Sequence, residues 1–195
     1  QLTENYMGNI PYRDLIRGRL QQLWNHERFS APQPKGDYYY YFKNDGLQNQ
    51  DVLYRMESMQ GPEEAVLNPN NFSKDGTAAL GSIAFSSDGS LLAYQRSEAG
   101  SDWQSIYVKD LESGSMLADT IRWVKFSEIA WFRDGFFYSR YPEPQAGEEL
   151  AGKNEFHQLF YHKVGTAQQE DELIFADRRN PQRNVYAQTT DDERF

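Results

Sequence analysis

The sequence predicts a mainly β protein built from repeated sheet units, with one amphipathic helix in front of them. Aromatic residues make up 15% of the 195 residues, a level that suits a sheet-rich protein because aromatic side chains favour strands. Helical periodicity is clear in one stretch near the start of the chain. From residue 36 onward, short apolar runs alternate with Gly, Asp, Asn and Ser clusters, which is typical of an all-β repeat protein.

The predicted helix covers roughly residues 11 to 25, within "IPYRDLIRGRLQQLWNHERF". Pro11 suits the first helical turn, where its missing N–H is not needed. Four apolar residues share one face, at the spacing i, i+4, i+7 and i+8: Ile16, Leu20, Leu23 and Trp24. Such a stripe needs a surface to cover it. No second helix is predicted, so we expect that surface to lie outside this chain.

The first predicted sheet element is a hairpin in "GDYYYYFKNDGLQNQDVLYR", with strands at 38–43 and 51–55. Asp45-Gly46 provides the turn, since glycine adopts positive φ without strain. The tyrosine run makes the first strand apolar on both faces, as in a sheet packed between two neighbours. Three amides follow the turn, and we expect them to bond neighbouring backbone rather than a peptide: Gln48, Asn49 and Gln50.

A repeated phrase, a turn followed by an aromatic strand, sets the size of the sheet unit. It occurs in "KGDYYYYF", "SSDGSLLAYQ", "FRDGFFYSR" and "TDDERF", whose turn positions Gly36, Gly89, Gly135 and Glu193 are 53, 46 and 58 residues apart. One unit holds two hairpins, "SIAFSSDGSLLAYQRS" and "SIYVKDLESGSML", and therefore four strands. Four strands in about fifty residues favour a propeller blade over the alternative, a β-sandwich with irregular loops.

Composition excludes several classes of function. The net charge is -9, the pI is about 4.9 and the basic residues are scattered, which argues against a nucleic-acid partner. There is no cysteine, and therefore no disulfide or thiolate metal site. No apolar run approaches the ~20 residues that a membrane span needs. We expect a soluble chain with no membrane partner, in the cytoplasm, with the periplasm as the alternative.

The two ends suggest a fragment. The chain starts at Gln1 rather than Met, and it stops at "TTDDERF", where the pattern predicts the start of a new strand. We therefore expect a piece of a longer or processed protein.

The sequence contains no catalytic or metal-binding motif. A Gly-x-Ser-x-Gly nucleophile motif is absent; "AGSDW" and "ESGSM" lack the flanking glycines. His157 and His162, five residues apart, point to opposite faces of a strand, and His26 suits a packing or dipole role at the helix end. Three acidic clusters are expected to be solvated loop charges: Glu148-Glu149, Glu170-Asp171-Glu172 and Asp191-Asp192-Glu193. We predict no catalytic residue, no metal site and no cofactor.

Seven phrases in order resemble the prolyl oligopeptidase family, serine peptidases with an α/β-hydrolase domain capped by a seven-bladed propeller. They are "GLQNQDVLY", "SKDGTAAL", "AFSSDGSLLAY", "SEAGSDWQSIYVKDLESG", "WVKFSEIAW", "FFYSRYPEP" and "NEFHQLFYHKVGTAQQEDELIF". The resemblance implies that residues 1–26 are a helical segment packed on a peptidase domain absent from this chain. It implies that residues 27–195 are a partial propeller of about three four-stranded blades. "TDDERF" and the short "FRDGFF" turn depart from the family pattern.

The resemblance also implies two substrate-binding residues. Phe126 in "WVKF" matches a propeller phenylalanine that helps line the apolar subsite for the residues before the substrate proline. Asp102 in "GSDW" matches an acidic propeller residue that faces the peptidase domain near the substrate. The alternatives from the residues alone are a blade-core aromatic for Phe126 and an Asx turn before Trp103 for Asp102.

The function that the resemblance implies is that of a serine endopeptidase. The chain would be the N-terminal, propeller part of an enzyme that cleaves short peptides after proline, with the propeller gating access to the active site. Its partners would be short proline-containing peptides and the missing α/β-hydrolase domain. The chain alone lacks the catalytic triad and is predicted to be inactive. The alternative is a propeller-type module that binds a protein without catalysis.

Overall fold

A computed structural model describes residues 2–145, 147, 149, 152–190, 193 and 194. Two helices come first, α1 (Leu2–Gly8) and α2 (Arg13–Trp24). The prediction of one helix at 11–25 is confirmed for α2 and wrong about the absence of another. Helix α1 is only seven residues long, too short for a periodic stripe to show. Pro11 lies in the turn before α2, closed by the Arg13 N–H donating to the Ile10 carbonyl at 3.2 Å, and not in its first turn.

The described strands form two antiparallel sheets. The first sheet has the order β1-β3-β4-β5, with β2 also paired to β3. Its strands are β1 (Arg28–Phe29), β2 (Gln33–Lys35), β3 (Tyr38–Asn44), β4 (Val52–Met56) and β5 (Glu64–Leu67). The predicted hairpin is β3 with β4, in the register Tyr41 opposite Tyr54. Its loop is longer than a two-residue turn, because pairing stops at Lys43 and Val52 and the three amides lie within the loop.

The second sheet has the order β13-β12-β11-β9-β8-β7-β6, with β10 paired to β11. Its strands are β6 (Ala79–Phe85), β7 (Leu91–Ser97), β8 (Gln104–Asp110), β9 (Met116–Val124), β10 (Ala130–Phe132), β11 (Gly135–Arg140), β12 (Gln158–Lys163) and β13 (Glu172–Ala176). Strands β6–β9 and β10–β13 are each a four-stranded run, and one pair, Arg140 with Val124, joins them.

The repeated turns have different local causes. Gly36 and Gly89 have positive φ, 56° and 74°, as a tight turn requires. In "FRDGFF" the left-handed residue is Arg133 (φ 55°), so the assignment of Gly135 as the turn glycine is wrong. Gly135 is the first residue of β11, and a Cβ there would collide with the carbonyl oxygen of His162. In the fourth phrase, "TDDERF", Asp191, Asp192 and Phe195 lie outside the described residues, and the assigned turn position Glu193 has a positive φ of 50°.

Polar side chains join the two sheets. The Gln50 amide donates to the Ala78 carbonyl at 2.8 Å and accepts from the Leu80 N–H at 2.8 Å. Arg55 donates to the Leu111 carbonyl, and Lys109 donates to the Val66 carbonyl, both at 2.6 Å. The expectation that the amides bond neighbouring backbone is confirmed for Gln50.

Apolar packing reinforces this junction. One core cluster combines residues of both sheets: Tyr40, Leu53, Val66, Leu67, Leu92, Tyr94 and Leu111. A second cluster lies within the larger sheet and contains Ile106, Val108, Ile121, Val124, Trp131, Phe136, Tyr138 and Phe160 among others. The strand of the tyrosine run was predicted to be apolar on both faces, and its consecutive residues Tyr40 and Tyr41 are both buried.

The helices remain outside both cores. No residue of α1 or α2 is buried, and the predicted stripe is about half exposed along its length: Ile16, Leu20, Leu23 and Trp24. None of the described helices is long and apolar enough to cross a membrane.

Candidate substrate-binding surface

Two loops of the larger sheet bring the predicted site residues together. Asp102 lies between β7 and β8, and Phe126 lies between β9 and β10. Strands β8 and β9 are paired with Gln104 opposite Val124. The two loops therefore leave the sheet at the same end of these strands. Residues 24 positions apart in sequence therefore share one surface.

Four aromatic side chains form the centre of this surface, here called the aromatic cluster: Trp103, Trp123, Phe126 and Tyr141. Trp103 meets Trp123 edge-to-face at 5.6 Å between ring centroids and Tyr141 at 6.3 Å. Phe126 meets Tyr141 edge-to-face at 6.4 Å. Edge-to-face pairs at these distances are favourable for aromatic quadrupoles. Beside the cluster lies a cleft of about 260 Å³, bordered by Trp103, Tyr141 and Phe156.

Lys125 connects the two predicted residues, although sequence reasoning did not select it. Its side chain is only 10% exposed, and its Nζ lies 3.5 Å from the Asp102 carboxylate. The same Nζ is 5.1 Å from the Trp103 ring centroid and 5.4 Å from that of Phe126. A cation at these distances attracts aromatic faces as well as the carboxylate. In the sequence, Lys125 is visible only as a lysine next to Phe126. Its contact with the loop that holds Asp102 depends on the fold and cannot be predicted from sequence.

The exposure of Phe126 excludes one interpretation. Its side chain is 50% exposed, so it is not a blade-core aromatic, whereas its neighbours Val124 and Lys125 are buried. For Asp102, the turn is made by another side chain: the Trp103 N–H donates to the Ser101 hydroxyl at 3.1 Å. Asp102 itself is 72% exposed. Both side chains are therefore accessible at this surface.

The backbone is unusual at the same place. Trp123 and Phe126 have φ of 61° and 50°, in the left-handed region that bulky residues rarely adopt. Such a conformation costs of order 1–3 kcal/mol and persists only where surrounding contacts fix it. The loop that presents Phe126 is therefore held by its neighbours.

His26 and His162 lie in different environments. The His26 ring is within hydrogen-bond distance of the Leu23 carbonyl, 3.1 Å, at the end of α2. His162 lies between Asp119, at 2.9 Å, and Asp171, at 2.7 Å. Although burial opposes charge there, these two carboxylates raise the pKa of His162. No group of three or more potential ligands is placed to hold a metal ion among the described residues.

One acidic residue differs from the prediction. Asp171 was expected to be solvated, but its side chain is 1% exposed, since it accepts from Tyr138 at 2.7 Å and pairs with His162. Its neighbours Glu170 and Glu172 are exposed as expected. Glu148, Asp191 and Asp192 lie outside the described residues.

A family model described as "Prolyl oligopeptidase, N-terminal beta-propeller domain" matches residues 1–195. The chain therefore belongs to the prolyl oligopeptidase family and corresponds to its propeller region. It is 45% identical over 196 residues to the prolyl endopeptidase of Elizabethkingia meningoseptica, covering 100% of this chain and 28% of that protein. A prolyl oligopeptidase of Omphalotus olearius is 37% identical over 207 residues, covering 93% of this chain and 27% of that protein.

Solved structures agree in fold. Prolyl oligopeptidase B from Galerina marginata, bound to a 35mer hydrolysis and macrocyclization substrate, has a TM-score of 0.88 at 31% identity. The match covers 98% of this chain and 30% of that one. The chain thus spans less than a third of the length of these relatives.

Proposed function

We propose that this chain is the propeller part of a serine endopeptidase that cleaves short peptides on the carboxyl side of proline. The observation that carries the proposal is the match of the whole chain to the propeller region of prolyl oligopeptidases. Since the nucleophile motif is absent here, the catalytic groups would come from an α/β-hydrolase domain outside these residues. The propeller would gate the active site by admitting only short or unfolded peptides.

The exposed helices support a domain partner. The four apolar side chains of the stripe on α2 are about half exposed. An amphipathic helix normally buries its apolar face against another surface, so this stripe supports a covering partner. Within this proposal, residues 1–26 pack on the peptidase domain, and residues 27–195 are about three blades.

The aromatic cluster supports a substrate-facing role for this edge of the sheet. Apolar rings with a few polar groups beside them are typical of ligand sites. Within this proposal, Phe126 contacts the substrate residues before proline, and Asp102 faces the peptidase domain near the substrate. Lys125 holds both, through its ion pair with Asp102 and its contact with the Phe126 ring.

Two preparations test the proposed activity. The intact protein should hydrolyse a fluorogenic Gly-Pro substrate and lose this activity with an irreversible serine reagent. The 195-residue chain alone should be inactive, and a reagent-treated sample controls for host peptidase. If the intact protein shows no serine-dependent cleavage after proline, the proposal fails and the non-catalytic binding module replaces it.

Gating and location have separate tests. Proline-containing substrates of increasing length should lose kcat/KM sharply once they exceed what the propeller admits, and equal turnover of a folded protein would contradict gating. The proposed compartment is the cytoplasm, and fractionation that recovers the protein in the periplasm would overturn it.

A further inference from the structure

His157 is a buried histidine that the proposed chemistry does not use, and it touches the loop that presents Phe126. It lies directly before β12 and is 1% exposed. Its Nε2 is 3.1 Å from the Lys125 carbonyl oxygen, and its Nδ1 is 3.0 Å from the backbone nitrogen of Val185. One imidazole thus connects two segments that are 60 residues apart in sequence.

The partners determine the protonation of this ring. A backbone N–H can only donate, so Nδ1 must accept from Val185 and carries no proton. A carbonyl can only accept, so Nε2 carries the proton and donates to Lys125. The neutral Nε2–H tautomer satisfies both bonds. A second proton on Nδ1 would face the Val185 N–H and break that bond.

Among the described residues, none of the carboxylates bonds the His157 ring. Tyr141 packs against the ring in a tilted arrangement, with the centroids 4.6 Å apart and the ring planes at 36°, and Tyr186 lies edge-on at 5.9 Å. Asp177 and Arg178 border the adjacent cavity, and Asp177 bonds instead with Asn180 and pairs with Arg183. Burial lowers the pKa of His157, and the bond to the Lys125 carbonyl only partly offsets this.

The ring acts on a strained segment. The Lys125 carbonyl belongs to the peptide bond that leads into Phe126, whose φ of 50° needs support. The ring also packs against Tyr141, which is the edge-to-face partner of Phe126. The bond to the Lys125 carbonyl and the contact with Tyr141 therefore both restrain the Phe126 side chain.

We propose that His157 is a positioning residue: its neutral imidazole fixes the Lys125–Phe126 backbone and the Val185 segment, and so holds the Phe126 ring in place for substrate residues before proline. This inference rests on the proposed function for its catalytic consequence. The positioning itself is a property of the fold and can be measured without turnover.

The first experiment follows Phe126 directly. 4-Fluorophenylalanine is placed at position 126 of the intact protein, and its ¹⁹F resonance is recorded from about pH 8 to about pH 5, above the ordinary range of aspartate. The resonance should shift with a midpoint below the ordinary histidine value of about 6.5, and His157→Gln should abolish the shift while His26→Gln, at an exposed ring, keeps it. A resonance that still titrates in His157→Gln, or whose position at about pH 8 is the same in His157→Gln as in the wild type, overturns the proposal.

The second experiment measures the ratio of kcat/KM for a long substrate, which reaches Phe126, to that for a short Gly-Pro substrate. His157→Phe keeps an aromatic ring beside Tyr141 but loses both hydrogen bonds, and its ratio should fall about tenfold, the low end for apolar subsite contacts. His157→Gln keeps a donor for the Lys125 carbonyl and should recover part of the ratio. Equal losses on both substrates, or none, contradict positioning.

The two experiments separate two failures. If the wild-type protein cleaves neither substrate while the ¹⁹F resonance titrates through His157, the proposed function fails and the positioning stands. If cleavage occurs and the resonance is independent of His157, the positioning fails and the proposed function stands.

Discussion

Two histidines, five residues apart, lie in opposite electrostatic environments. His162 is enclosed by two carboxylates in the core, and its pKa is raised. His157 bonds a backbone carbonyl and a backbone N–H beside the aromatic cluster, and its pKa is lowered by burial. Both rings are almost completely buried. Burial alone therefore does not determine the charge of a histidine in this fold.

The difference lies in which partners each ring meets. Two carboxylates accept from both nitrogens, which requires the protonated ring, whereas a backbone N–H needs one nitrogen free. His162 joins β12 to β9 and to the segment before β13, inside the sheet. His157 joins two surface loops. We therefore expect changes at His162 to affect stability and changes at His157 to affect the proposed subsite.

The largest expected effect is at His162. His162→Gln leaves Asp119 and Asp171 buried without their shared cation, and breaking a buried ion pair costs about 3–5 kcal/mol. Urea unfolding of the intact protein should show this loss. His26→Gln is the matched control, because that ring is exposed and bonds only the local Leu23 carbonyl among its described partners. A loss below about 1 kcal/mol, the range of a surface pair, would show that the two carboxylates do not hold a charged ring.

The pH dependence of stability should have opposite signs at the two histidines. The folded pKa of His162 is raised, so its contribution is complete below the unfolded value of about 6.5 and is lost as pH rises through the folded pKa. The folded pKa of His157 is lowered, so its contribution is complete above about 6.5 and is lost as pH falls through the folded pKa.

Unfolding free energies of the wild type and of each Gln variant are measured from below to above about pH 6.5. The differences isolate the contributions of His162 and His157 to stability. The gap between wild type and His162→Gln should shrink at high pH, and the gap for His157→Gln should shrink at low pH. Gaps that change in the same direction would break the comparison.

A smaller effect is expected where the two sheets meet. Gln50→Ala removes the partner of the Ala78 carbonyl and of the Leu80 N–H, and unsatisfied buried groups cost about 1–3 kcal/mol. Asn49→Ala is the control, since this neighbouring amide is exposed and surface changes stay within about 0.5 kcal/mol. Equal denaturation midpoints for the two variants would mean that Gln50 does not join the sheets.

The smallest expected change in stability is at Asp102. Its pair with Lys125 is 3.5 Å long and its side chain is 72% exposed, so Asp102→Asn should cost at most about 1 kcal/mol. The proposed role at the peptidase face predicts that kcat/KM depends less on salt in this variant, because one exposed charge is lost. An unchanged salt dependence would remove Asp102 from the substrate-facing surface.

Sequence reasoning predicted the parts of the fold that follow from local pattern. The hairpin of β3 and β4 follows from the tyrosine run and Asp45-Gly46, and the hairpins around Gly89 and Gly114 follow from turn residues between apolar runs. Helix α1 was missed because seven residues carry too little periodicity. Gly135 was misassigned because a glycine needed for close packing looks the same in sequence as a turn glycine.

The site was only partly predictable, for a physical reason. Phe126 and Asp102 were selected by resemblance, but Lys125 between them depends on two loops meeting at the edge of a sheet. The partners of His162 are 43 and 9 residues away, and only the register of β9 and β12 around β11 brings them together. Asp171 therefore looked like a solvated loop charge.

The central claim, that the loop surface binds substrate while the core provides stability, is tested most directly by Phe126→Ala in the intact protein. Burying an aromatic ring is worth about 1.5–3 kcal/mol, and a half-exposed ring should give the lower end, roughly a tenfold loss of kcat/KM on the long substrate. The short substrate and the melting temperature should change little. A variant that loses several kcal/mol of stability, as a core residue would, and loses kcat/KM equally on both substrates would contradict the claim.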